Sequence, residues 1–242
     1  MRIGVFDSGL GGVTVLKELI TRYPNNEYIY FGDTINLPYG SKTKEQLLQF
    51  SDKIINFLKE QKVDLIIIAC GTCSANTYFE IKDKYHIPII DILSPTIHYI
   101  LSCEYKKIGV IGTEMLIKSN YFNKYLNNVE VTSVATPKLV PLIETDKINT
   151  DECEEVLKQY LNNFNDIDAL VLGCTHYSLL KDQILKIRKL KLINMGEILS
   201  HNINLGNSDE LKVTLYFSFV NDTIQKKVQQ IFANCQLYEK KL

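Results

Sequence analysis

Leu65-Ile66-Ile67-Ile68-Ala69-Cys70-Gly71-Thr72-Cys73-Ser74 runs five apolar residues straight into a thiol, then into small and hydroxylated residues. A short, isoleucine-rich run closed by a glycine predicts a strand buried on both faces. The residues from Ser74 to Tyr85 predict a helix. A thiol at the carboxyl end of a buried parallel strand stands where open α/β sheets place their ligands. The pattern recurs about a hundred residues on, where Ala169-Leu170-Val171-Leu172-Gly173 runs into Cys174-Thr175-His176. Two strand ends, each delivering a cysteine beside a threonine, predict one site with two facing thiols.

Working outward, the 242-residue chain is long enough for one large α/β domain or two small ones. Its net charge of −1 argues against a nucleic-acid surface. No apolar run approaches the roughly 20 residues that span a bilayer. The apolar part of the amino terminus is too short for a secretory signal. A cytoplasmic protein with no nucleic-acid or membrane partner is expected. Six cysteines in such a chain do not resemble a disulfide framework. Cys103, Cys153 and Cys235 are expected to be small buried hydrophobes. The acidic neighbours of Cys103 and Cys153 would raise a thiol pKa.

Strand and helix signals alternate along the whole chain. Residues 2 to 6 lead into Asp7-Ser8-Gly9-Leu10-Gly11-Gly12 and a helix from about Val13 to Arg22. The glycines allow positive φ and close backbone approach, and a helix start offers free N–H groups to an anion. The turn lacks the third glycine of a dinucleotide fingerprint and the lysine of a P-loop, so a tight structural turn is as good a reading as a ligand loop. Glu27 to Phe31 is a strand, and Ser41 or Thr43 caps a helix to about Gln61. Ile87 to Ile90 is a strand, and Ser94-Pro95 opens a helix. Ile108 to Gly112 is a strand ending at Thr113, followed by one helix to about Leu126. Val129 to Val134 is a strand, Pro137 to Glu144 an apolar loop or short helix, and Asp151 the cap of a helix to Asn162. Leu179 to Lys191 is a basic amphipathic helix, Leu192 to Met195 a strand and Gly196 to Ile203 a helix. Gly206-Asn207-Ser208-Asp209 is a hinge, then come a strand from Leu211 to Phe217 and a helix from Thr223 to Ala233.

Alternation of this kind implies parallel sheets covered by helices. The order of signals is also duplicated: an early strand ends in a hydroxyl (Ser8; Thr113), a later one in a cysteine (Cys70; Cys174). The expected fold is therefore α/β, with two similar lobes, each a mostly parallel sheet flanked by helices, and the active site in the cleft between them. The first lobe would hold residues 1–94 and 206–242, the second residues 95–205.

Two opposed thiols suit the movement of a proton off one face of a carbon and onto the other. A free thiol titrates near pH 8.5, close enough to neutrality for one cysteine to be a thiolate while its partner stays protonated. Asp7 would take the proton from Cys70. His176 would do the same for Cys174, or favour its thiolate as imidazolium. The hydroxyls of Ser8, Thr72, Thr113 and Thr175, with helix amino termini, suit a substrate carboxylate. Glu144 is a further carboxylate with a possible supporting role.

Taken together, Asp7 to Leu16, Phe31-Gly32-Asp33-Thr34, Pro38-Tyr39-Gly40, Ala69-Cys70, Ile108 to Thr113 and Leu172 to Tyr177 resemble the motifs of bacterial glutamate racemase, of the cofactor-independent aspartate/glutamate racemase family. The matches run in family order from Ile3 to Tyr177. The resemblance implies interconversion of L- and D-glutamate for peptidoglycan. It implies Cys70 and Cys174 as the two proton carriers, and Asp7, Ser8, Pro38, Tyr39, Gly40, Gly71, Thr72, Thr113, Thr175 and His176 at the substrate. It further implies a homodimer with no metal and no pyridoxal phosphate. One residue departs: Gly71 stands where the family has an asparagine whose amide touches the substrate. Losing such a bond costs on the order of 1.5–3 kcal/mol, so Gly71→Asn is expected to lower KM for glutamate or leave it unchanged. Cys73 adds a third thiol near the site. The alternatives are a racemase or isomerase of the same superfamily acting on aspartate or a related acid, a Cys3His zinc site from Cys70, Cys73, Cys174 and His176, and a Cys70–Cys73 redox pair.

Overall fold

A computed structural model describes residues 1–206, 210–232 and 234–242. The chain opens with β1 (Arg2–Asp7), α1 (Gly11–Arg22) and β2 (Glu27–Gly32). Two short 3₁₀ turns, Thr34–Asn36 and Tyr39–Ser41, lead to α2 (Lys44–Glu60). Thr43, not Ser41, caps α2: its hydroxyl accepts from the Gln46 N–H while the Gln46 side chain accepts from the Thr43 N–H. Next come β3 (Leu65–Ile68), α3 (Gly71–Ile81), β4 (Ile89–Asp91) and α4 (Leu93–Ser102). β5 (Lys107–Gly112), α5 (Glu114–Lys118), α6 (Tyr121–Tyr125), β6 (Glu130–Ala135), α7 (Leu139–Glu144) and α8 (Asp151–Leu161) follow. The chain continues with β7 (Ala169–Leu172), a 3₁₀ turn at Thr175–Leu180, α9 (Lys181–Ile187), β8 (Leu192–Asn194) and α10 (Met195–Asn202). It ends in β9 (Lys212–Phe217), α11 (Asp222–Ile231) and β10 (Gln236–Glu239).

Among the described residues the strands form two wholly parallel sheets, one ordered β10-β9-β2-β1-β3-β4, the other β6-β5-β7-β8. β2-β1-β3-β4 and β6-β5-β7-β8 have the same winding, so the duplication read in the sequence is a duplication of topology. In each sheet the direction of winding reverses between the first and third strands of the unit. Chain connections leave those strands on opposite sides, and a crevice opens at their carboxyl ends. β1 and β3 bring Asp7-Ser8 and Cys70 to one such crevice, and β5 and β7 bring Thr113 and Cys174 to the other.

The apolar filling is continuous across the two sheets. Val5, Val13, Leu16 and Tyr30 from the first unit and Val110, Val171, Met195 and Leu199 from the second share one buried cluster. α1 and α10 meet at its centre, where Gly196 lets α10 come close: a Cβ there would lie 3.2 Å from a Val15 methyl. A shared core holds the two crevices face to face.

Several elements differ from the sequence expectation. α3 begins at Gly71 because Cys70, in extended conformation, is already its N-cap, and it ends at Ile81. The single helix expected after Thr113 is two, divided at Asn120, whose φ of 54° is left-handed. Thr150 rather than Asp151 caps α8; its hydroxyl accepts from the Cys153 N–H at 3.3 Å. The long helix from Leu179 shrinks to a 3₁₀ turn and α9. None of the glycines of the Asp7–Gly12 turn has positive φ. Their role is close approach: a Cβ on Gly11 would fall 2.2 Å from Thr175 Oγ1, and one on Gly12 would fall 2.4 Å from Asp7 Cβ. Cys153 is a buried core thiol, pushed up chiefly by burial and secondarily by Glu152, whereas Cys103 and Cys235 are only half-buried. The hinge residues Asn207, Ser208 and Asp209, and Ala233 at the expected end of the last helix, lie outside the described residues. No helix among the described residues is long and apolar enough to cross a membrane.

Candidate active site

A narrow cavity of about 20 Å3 lies between the two crevices. Ser8, Pro38, Tyr39, Gly40, Cys70, Gly71, Thr72, Thr113, Cys174, Thr175 and His176 line it, so residues singled out in the sequence from five separate stretches converge there. Leu37 and Val140 also line it; they are ordinary apolar residues, and no sequence signal marks them. Asp7 lies just behind this lining, fully buried.

The two thiols have different surroundings. On the first side Cys70 ends the β3 strand and caps α3. Asp7, at the end of the neighbouring β1, accepts hydrogen bonds from the N–H groups of Gly9 at 3.2 Å and Gly12 at 2.8 Å. Thr175 from the opposite side donates its hydroxyl toward both Asp7 oxygens at 3.4–3.5 Å. Burial raises the Asp7 carboxyl above the usual range, against the lowering pull of His176 and those amides. An acid so placed can hold a proton near neutral pH better than an exposed aspartate.

On the second side His176 is buried and bridges two partners. Its Nδ1 lies 3.5 Å from the Cys174 sulfur, and its Nε2 lies 2.6 Å from Glu144 Oε1. Burial works against an imidazolium here. The hydrogen bond and charge of Cys174, then those of Glu144, outweigh it and raise the His176 pKa well above its ordinary value. Burial likewise pushes Glu144 up, but His176 and then Lys227 overcome that, and its carboxyl sits below the usual range. Glu144 ends α7, so the stretch read as an apolar loop or short helix supplies the carboxylate that holds the imidazole. Lys227 reaches in from α11: its Nζ donates to the Ile143 carbonyl at 2.8 Å and lies 3.8 Å from Asp146. Nothing in the sequence pattern set Lys227 apart from the other lysines of a solvated helix face.

The hydroxyls bridge the two sides. Thr72 and Thr113 share a hydrogen bond at 2.7 Å across the cleft. Thr113 also caps α5, and it packs so closely on Gly40 that a Cβ there would meet Thr113 Cβ at 2.8 Å. Tyr39 is held by donating to Asp33 at 2.7 Å. Gly71, at the first turn of α3, abuts the other side: a Cβ at this position would stand 2.7 Å from the Gly173 carbonyl oxygen. An asparagine does not fit on this backbone, so the expectation that Gly71→Asn is harmless or helpful is withdrawn.

Cys73 is fully buried, does not line the cavity, and accepts a hydrogen bond from the Ser51 hydroxyl at 3.7 Å. It is outside the lining that Cys174 and His176 share. Among the described residues no group of His, Cys, Asp and Glu side chains is arranged to hold a metal ion, so the Cys3His alternative has no assembled ligand set.

Comparison with known proteins bears on this arrangement. Residues 6–200 match the model of the family described as Asp/Glu/Hydantoin racemase. The glutamate racemase of Aquifex aeolicus is 36% identical over 238 residues, covering 96% of this chain and 94% of that protein. The crystal structure of glutamate racemase from Francisella tularensis, in complex with D-glutamate, superposes with a TM-score of 0.87 at 32% identity, over 100% of this chain and 97% of that one. A glutamate racemase isoform from Bacillus anthracis superposes with a TM-score of 0.89 at 30% identity and the same coverage. The chain belongs to the Asp/Glu/Hydantoin racemase family. The two-lobed parallel α/β architecture is that of its structural neighbours.

Proposed function

We propose that this protein is a racemase that interconverts L- and D-glutamate by passing the α-proton between Cys70 and Cys174. The observation that carries the reading is the equivalence of the two thiols. Each follows the third strand of an identically wound unit, and both line one narrow cavity between the units. The kinship with glutamate racemases supports glutamate as the substrate.

In this reading one thiolate removes the α-proton while the other thiol delivers a proton to the opposite face. Reversal of direction exchanges the roles, so each cysteine is a base in one direction and an acid in the other. Asp7 serves Cys70 as proton partner. His176, held by Glu144, stabilises the thiolate of Cys174. Ser8, Thr72, Thr113 and Thr175 hold the substrate's carboxylates through hydroxyls and neighbouring helix amino termini. Pro38, Tyr39, Gly40 and Gly71 shape the rest of the pocket.

The same reading places residues 1–94 and 206–242 in one lobe and 95–205 in the other. It makes the protein a cytoplasmic homodimer supplying D-glutamate for peptidoglycan, a reading supported by the family resemblance. Sedimentation at several protein concentrations tests the dimer.

The deciding experiment incubates chelator-treated protein with L-glutamate in D2O. The α-proton signal is followed by NMR, with optical rotation in parallel. Loss of the signal together with loss of rotation is expected. Exchange with aspartate but not glutamate would move the assignment to the alternative substrate, and no exchange with either would overturn the reading.

A further inference from the structure

Cys70 is the N-cap of α3 and Cys73 is the third residue of its first turn. Side chains at these two positions of a helix face each other; the same proximity allows a capping box. Cys70 is near enough to add to the rise of the Cys73 thiol that burial dominates, and both belong to one buried cluster between β3 and α2. They differ in access. Cys70 lines the cavity; Cys73 lies behind it, closed off from solvent and held by Ser51. Racemisation gives Cys73 no task.

We propose that Cys70 and Cys73 form a peroxide-sensitive dithiol switch, in which oxidation of Cys70 is captured by Cys73 as a disulfide that turns the active site off reversibly. Small peroxides reach Cys70 through the substrate cavity. The Cys70 thiolate attacks the peroxide: an S–O bond forms, the O–O bond breaks, and hydroxide leaves and is protonated to water. Cys73 sulfur then attacks Cys70 sulfur. The S–S bond forms, the S–O bond breaks, and the Cys73 proton leaves with the departing oxygen as a second water. One peroxide is reduced as two thiols are oxidised. A dithiol reductant returns both thiols by exchange. Burial pushes the Cys73 thiol well above its ordinary pKa, which keeps it protonated and leaves Cys70 as the group that meets the oxidant.

The inference extends the racemase reading but is testable without it, because thiols and masses can be counted whether or not glutamate turns over. The purified protein is treated with hydrogen peroxide, with and without glutamate. It is then denatured and its thiols titrated, and its peptides are mapped by mass spectrometry. Loss of two thiols, a Cys70–Cys73 link and protection by glutamate are expected. Activity should fall at least ~10-fold and return to within about twofold on adding dithiothreitol. Cys73→Ser and Cys73→Ala should keep basal activity, yet lose it irreversibly under peroxide as Cys70 passes to the sulfinic acid. Loss of a single thiol, or a Cys70–Cys174 link in place of Cys70–Cys73, would overturn the proposal. So would wild-type inactivation that dithiothreitol cannot reverse. If no exchange or racemisation were seen but the Cys70–Cys73 link formed, the racemase reading alone would fail.

Discussion

The Nε2 of His176 lies 2.6 Å from a carboxylate oxygen of Glu144, and the two groups titrate in opposite directions: the imidazole is raised, the carboxyl lowered. A raised base contributes stability that is complete below its unfolded pKa, about 6.5, and is lost as pH climbs through the folded value. A lowered acid contributes stability that is present above its unfolded pKa, about 4.3, and is lost as pH falls through the folded value. The pair is therefore worth most between those two unfolded values. The difference in urea stability between wild type and Glu144→Gln should peak in that window and shrink on both sides. A difference independent of pH would refute the pairing.

The same substitution should act on catalysis. Without the carboxylate His176 loses a support for its proton, so its pKa falls. The alkaline limb of the kcat/KM profile should move to lower pH. An unmoved limb would show that His176 does not set it.

Cys70→Ser and Cys174→Ser should each reduce turnover at least about 10³-fold, the scale of a lost acid–base group. Each should stay within about 1 kcal/mol of wild-type stability, since a hydroxyl is close in size and both residues border the cavity. Kinetics and urea melts on the same preparations check both. Substantial racemisation in either variant would remove the two-thiol assignment.

Gly71→Ala and Gly71→Asn should both raise KM. The added Cβ meets the Gly173 carbonyl at 2.7 Å, and backbone cannot swing aside as a flexible side chain can. Overpacking of this kind costs about 1–3 kcal/mol. Alanine separates the clash from the amide: if Gly71→Ala is harmless, the closeness is not limiting and an asparagine amide becomes admissible.

Lys227→Met should lower stability by about 1 kcal/mol, the worth of one hydrogen bond whose acceptor keeps other partners. It should also move the alkaline limb slightly in the direction opposite to Glu144→Gln, because loss of a nearby cation leaves the still-ionised Glu144 carboxylate to His176. Lys227→Arg should restore most of both. Lost stability with an unmoved profile would mean that Lys227 holds α7 without tuning the site.

The parts of this molecule that could be read from the sequence are those with strong local chemistry. β3 and β7 are unbroken apolar runs, and each ends in a residue type that strands do not need. The stretches lining the cavity were legible because they carry cysteine, histidine, threonine or a proline–tyrosine–glycine turn. The illegible parts depend on partners distant in sequence. β10 is short, mostly exposed and an edge strand, so no alternation marks Gln236–Glu239. Gly11 and Gly71 look like turn residues but are set by atoms of Thr175, His176 and Gly173, more than a hundred residues away. Lys227 matters only because α11 ends up beside α7. The Leu179–Lys191 periodicity was genuine, yet the turn that places His176 used up the helix's first residues.

His176 and Glu144 attend Cys174 and have no counterpart at Cys70, which has Asp7 instead. Mirror-image amino acids have equal free energy in water, so their equilibrium lies at equal amounts whatever the catalyst. Around the closed cycle, kcat/KM from the L side must then equal kcat/KM from the D side. The unequal equipment of the two thiols cannot make the protein prefer one hand. It can only divide the shared kcat/KM differently between kcat and KM in the two directions. Every substitution at His176, Glu144 or Asp7 must therefore depress kcat/KM for both enantiomers by one common factor, however one-sided its position in the cleft.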